Sequence, residues 1–97
     1  MNKQYAQTGT NTVVAGGTAE TVELGFKPSY VKAFNVNNLA SYEHWDGMDD
    51  DTDITTITDG TMSVNAAGGI TLTSNGFTLG TDICDTTADV VRWVAIR

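Results

Sequence analysis

From Glu20 to Val36 the chain alternates in a way that only an extended backbone can use. Val22, Leu24 and Phe26 fall on one side, and Thr21, Glu23 and Gly25 on the other. After Lys27-Pro28-Ser29 the alternation resumes, with Tyr30, Lys32, Phe34 and Val36 on one face. Period two sends successive side chains to opposite faces of a strand, whereas a helix would need apolar residues three and four apart. Pro28 has no ladder N–H and a fixed φ, so it belongs between strands. The segment predicts two strands joined by a short turn.

The rest of the chain follows the same rule. Thr12–Ala15 is a short strand candidate broken by Gly16-Gly17. Tyr42–Trp45 is another, ending at Asp46-Gly47, and Ile54–Thr58 is closed by Asp59-Gly60. Met62 and Val64, then a turn over Ala66–Gly69, then Ile70 and Leu72, then Ser74-Asn75-Gly76, then Phe77 and Leu79 predict a meander. Thr81–Asp89 is a polar connector with room for one helical turn at Asp82. Val90–Ile96 is the last strand; both its faces are largely apolar, which predicts a central position or a subunit interface. Met1–Asn11 carries no periodic signal and is predicted to be an arm, disordered or laid along a partner. The expectation is an arm over residues 1–11 and one all-β domain over residues 12–97, a small antiparallel β-sandwich or jelly-roll-like barrel of seven or eight strands. Sixteen threonines and ten glycines against one proline agree with it.

Charge excludes whole classes of partner. The net charge is −7, with twelve carboxylates and five scattered Lys or Arg. Phosphate backbones and anionic membranes require clustered cations, so neither nucleic acid nor membrane is an expected partner. A single cysteine, Cys84, permits no disulfide within the chain and fits a protein made in a reducing cytoplasm. The polar start has no apolar core of a signal peptide, and no apolar run is long enough to span a bilayer.

No set of residues announces catalysis. Asp49, Asp51 and Asp53 alternate like the start of a calcium loop, but Ile54 stands where the tight turn needs Gly and Gly60 where a bidentate Glu is required. The acidic loop is therefore read as solvated or facing a basic partner. His44, the one histidine, has no nucleophile or orienting group that the sequence brings to it. Cys84 lies between Asp82 and Asp85, whose charges oppose a reactive thiolate. The glycine pairs at 16–17 and 68–69 lack the Lys and following helix of a phosphate loop. The expectation is no enzymatic activity, no metal and no cofactor. Tyr42, Trp45 and Met48 are either core or an anchor in a protein interface, where such residues are enriched.

The stretch Gly25-Phe26-Lys27-Pro28-Ser29-Tyr30-Val31-Lys32, then Asn35-Val36 and Trp45-Asp46-Gly47-Met48, resembles small proteins encoded in the structural modules of tailed phages. So do Gly69-Ile70-Thr71-Leu72, Asn75-Gly76-Phe77-Thr78-Leu79-Gly80 and the terminal Trp93-Val94-Ala95. These are head decoration, or cement, proteins, and the resemblance runs over roughly residues 20 to 97. It implies a non-enzymatic bacteriophage protein on the capsid exterior of the virion, made in the host cytoplasm. Its partners would be the major capsid protein and copies of itself, a homotrimer being favoured over a dimer. The alternative is a tail or fibre component with a receptor-binding or structural role. The shared features are structural, so no functional residues carry over individually.

Overall fold

The computed structural model describes residues 6–97, and all its regular elements are strands. They are β1 (Ala6–Thr12), β2 (Glu20–Glu23), β3 (Tyr30–Asn35), β4 (Ala40–Trp45), β5 (Thr52–Thr56), β6 (Met62–Thr73), β7 (Gly76–Leu79) and β8 (Val90–Ile96). All eight are hydrogen-bonded into one antiparallel sheet in the order β1-β8-β3-β4-β5-β6-β7-β2. The all-β antiparallel expectation holds, and the sheet curls on itself as a half-barrel.

The expected arm is partly a strand. Over Ala6–Thr12 the chain pairs with β8 from Ala6 opposite Ile96 to Thr12 opposite Val90. Met1–Tyr5, the rest of the expected arm, lies outside the described residues. The sequence Ala-Gln-Thr-Gly-Thr-Asn-Thr hides its strand character because its inward positions are Gln7, Gly9 and Asn11, none of which is apolar. Gly9 is small for a reason. It faces Trp93 across the ladder, and a Cβ at Gly9 would collide with the six-membered ring of the indole.

The curl is held by two aromatic rings. Trp93 on β8 and Phe77 on β7 belong to strands near opposite ends of the sheet order, yet their centroids are 5.1 Å apart at 78°. That is the edge-to-face arrangement aromatic quadrupoles prefer. Around them pack Val22, Val31, Ala33, Tyr42, Ile70, Leu79, Val91 and Ala95, all buried. One end of the half-barrel is plugged by Val13, Ile83 and Cys84. The two loops supplying that plug are zipped together by Val13 N–H to Asp89 O (2.8 Å), Ala88 N–H to Val13 O (2.8 Å) and Gly17 N–H to Cys84 O (2.7 Å).

Topology completes one local expectation and overturns another. The strands before and after Pro28 do not pair with each other: β2 lies at the edge beside β7, and β3 lies between β8 and β4. A short turn does not imply a hairpin where both strands have better partners elsewhere. Ala66–Gly69 is not a chain reversal either. β6 runs straight through it, because β5 pairs with both flanks, Asp53 opposite Asn65 and Thr52 opposite Ile70. The intervening residues bulge, with Gly68 at φ 76° and Gly69 against the Asp53 carboxylate, where a Cβ would lie 2.7 Å from Oδ2.

Substituting Gly9→Ala drives a methyl into the Trp93 ring and is expected to destabilise the domain by about 1–3 kcal/mol. Urea unfolding of the two proteins measures the difference; an unchanged midpoint would mean that the indole has room to move.

Candidate interaction surface

The alternation that fills the half-barrel also decorates its outside. On β3, Val31, Ala33 and Asn35 face inward, so Tyr30, Lys32 and Phe34 face out. On β8, Val91, Trp93 and Ala95 face inward, leaving Arg92, Val94 and Ile96 on the convex side. On β4 the inward set is Ala40, Tyr42 and His44, and Trp45 is outward and 46% exposed. Alternation therefore splits the Tyr42, Trp45, Met48 cluster: Tyr42 is core and Trp45 is surface. Register then joins the outward residues into rows: Thr8, Val94, Lys32, Glu43, Ile54 and Val64 in one, and Thr10, Arg92, Phe34, Ser41, Thr56 and Met62 in the next. Phe34, Trp45, Met62, Val64 and Ile96 are exposed members of this convex face.

A groove of about 370 Å³ lies on this face, bordered by β1, β8 and β3. Its walls include Thr8 and Thr10 on one side, Lys32 and Arg92 as its cations, and Phe34 and Val94 as apolar floor. Lys32 stands opposite Val94 and Arg92 opposite Phe34, so the cations are diagonal neighbours, roughly 7 Å apart at the backbone. Glu43 is opposite Lys32 on the other flank, but its Oε2 accepts the Tyr30 hydroxyl at 2.5 Å. Burial, then this bond, then the negative charge of Glu43 push the Tyr30 phenol up to about 12.

The two edges of the sheet differ. β1 is seven residues long and uncharged, and it stands at the end of the sheet order. Such an edge is a template for another strand. β2 is four residues with Glu at both ends. The edges meet at a corner where Glu20 receives Asn11 Nδ2 (3.1 Å) and Val14 N–H (2.9 Å), while Asn11 Oδ1 accepts Trp93 Nε1–H (3.1 Å).

The candidate chemical residues lie elsewhere. His44 is buried inside the half-barrel, with Nδ1 2.7 Å from Thr52 O. Asp53 is buried beside it and bonded to the Thr55 hydroxyl and to Asn65 Nδ2 (3.4 Å). Burial raises the Asp53 carboxyl above the usual range; the Thr55 and Asn65 bonds oppose the shift, Asp82 adds to it and His44 reduces it. Sequence reasoning missed this His44–Asp53 neighbourhood, although inward alternation at 42 and 44 and the polar residue at 53 contained the signal. Asp49, Asp51 and Asp53 are not brought together. Asp53 is inside, Asp51 Oδ2 takes Gly68 N–H at 3.0 Å, and Asp49 is exposed. Among the described residues no group of three His, Cys, Asp or Glu side chains could hold a metal ion. Cys84 is fully buried, and desolvation first, then Glu20, pushes its thiol up to about 11. The direction agrees with the sequence reading; the cause is burial, with Glu20 in place of Asp82 and Asp85.

No family model, curated protein or solved structure matches this chain.

Two outcomes follow from the interior groups. A carboxyl whose folded pKa is raised binds its proton more tightly in the native state. Its stabilising contribution is therefore present at acid pH and is lost as pH rises from the ordinary carboxyl range through the raised value. Asp53→Asn should flatten that limb of the stability–pH curve, read by urea titrations across the acid range. Cys84 should resist a thiol reagent in native buffer at mildly alkaline pH and react at once in denaturant, followed by absorbance.

Proposed function

We propose that this chain is a non-enzymatic virion protein that binds the outer surface of a tailed-phage head, bridges capsid subunits, and associates with copies of itself. The observation that carries the reading is the convex face. Its register rows set Phe34, Trp45, Ile96, Met62 and Val64 outward on the same side of one curled sheet. Apolar groups arrayed together on a rigid sheet lose water contact when covered by protein, at about 25 cal/mol per Å². A clamp needs such a surface, because contacts that are weak one by one act at high effective concentration when several subunits are touched together. The resemblance over residues 20 to 97 supplies the shell as the surface being covered. The partners are the major capsid protein and further copies of this chain, with a trimer favoured to match threefold lattice positions. With a net charge of −7, neither nucleic acid nor a membrane is among them.

The test is binding of the purified protein to assembled, expanded heads and to soluble capsid subunits. Co-sedimentation should retain it on heads and not on subunits, and decorated heads should withstand higher temperature than bare ones. Equal affinity for free subunits, or no retention on heads while host cells or tails bind it, would show that it is not a head clamp.

A further inference from the structure

We infer that the groove over β1, β8 and β3 receives the acidic β4–β5 corner of a second copy of this chain. The inference builds on the self-association in the proposed function and names its interface. The first observation is a pair of cations without an anion. Lys32 and Arg92 sit diagonally on one face of a chain with twelve carboxylates, and neither makes a side-chain hydrogen bond or ion pair among the described residues. The other two cations among them are placed differently: Arg97 lies over the Phe26 ring at 5.6 Å, and Lys27 is in the Pro28 turn. Glu43, the acid nearest in register, is occupied by Tyr30. Two adjacent like charges repel, and an arriving carboxylate relieves that repulsion.

The second observation is what the corner offers. Asp46, Asp49 and Asp50 are exposed, and their carboxylates make no hydrogen bond among the described residues. Beside them stand the half-exposed Trp45 indole and Met48, whose sulfur accepts Trp45 N–H at 3.4 Å. The corner thus joins an apolar ring to free acids, and the groove joins an apolar floor of Phe34 and Val94 to free cations. The match is double, apolar to apolar and charge to opposite charge.

A third observation makes the contact intermolecular. The corner is tied toward β6, on the opposite side from β1, by Asp51 N–H to Ile70 O (3.1 Å) and to Thr71 Oγ1 (2.9 Å), and by Asp51 Oδ2 to Gly68 N–H. A copy therefore gives its corner to a neighbour and receives another's in its groove. This is a heterologous contact, which closes into a ring when the rotation permits.

Sedimentation velocity on the full chain tests it. The wild type should associate at low ionic strength and dissociate as salt rises. Lys32→Glu with Arg92→Glu should weaken association by about tenfold or more. Asp49→Lys with Asp50→Lys should do the same from the other side. The protein carrying all four changes should associate again, since both halves are reversed together. Lys27→Glu should change nothing. Lys32→Gln with Arg92→Gln serves if either reversed pair fails to fold, as judged by circular dichroism. A wild type that stays monomeric at every concentration, or a doubly reversed groove that associates like the wild type, would overturn the inference. A wild type that is monomeric yet retained on heads would remove this interface and leave head binding standing. Salt-sensitive association without head binding would do the reverse.

Discussion

The meeting of Trp93 with Phe77 is the contact on which the rest of this molecule depends. A single eight-stranded sheet has two faces, and a chain of this size has apolar residues enough to cover one. Curling solves that problem by letting the sheet bury its inner face against itself, and the two rings span the curl from β8 to β7. Everything near Trp93 yields to it. Gly9 gives up its side chain, Asn11 turns its carbonyl to the indole N–H, and the same Asn11 passes its amide to Glu20 on the far edge. One aromatic contact thus fixes curvature, edge position and the closed corner together.

Buried polar groups then set which loops accompany the curl. Asn35 sits inside with no exposure and uses both ends of its amide. It donates to Ile83 O and Asp89 Oδ2 and accepts from the N–H groups of Asn37 and Asn38. It therefore ties the β3–β4 turn to the connector before β8. No buried side-chain polar atom among the described residues lacks a partner. A network so fully satisfied specifies one arrangement, because any alternative leaves at least one group dry and unpaired.

The strand content was legible where alternation was strong, as at Tyr30–Asn35 and Val90–Ile96, because period two is a local property. Which side faced inward was less so. On β3 the outward face carries Tyr30, Lys32 and Phe34, as conspicuous as the inward Val31, Ala33 and Asn35, and only the neighbouring strands decide between them. β1 was hidden because its inward positions are filled by Gln7, Gly9 and Asn11, chosen to fit a tryptophan far along the chain. The Ala66–Gly69 bulge carried turn residues without a turn, since pairing with β5 on both flanks overrides local chemistry. The groove cations were visible as residues and not as a pair: Lys32 and Arg92 meet through the register of β3 with β8.

The order of strands in the sheet also dictates the order in which the sheet can be made. β3 to β7 are each beside their sequence neighbour, so this meander can zip up from local contacts. The first strand cannot join it. Among the described strands β1 forms its ladder with β8, and β8 must first lie down along β3. As the chain leaves the ribosome, its earliest described residues therefore wait, unpaired, for its latest ones. Completion therefore comes late and costs loop-closure entropy: the last strand docks on β3, bringing Trp93 with it, and the first strand closes on the last. A partly synthesised chain exposes β3 as a bare edge beside an unfilled half-core.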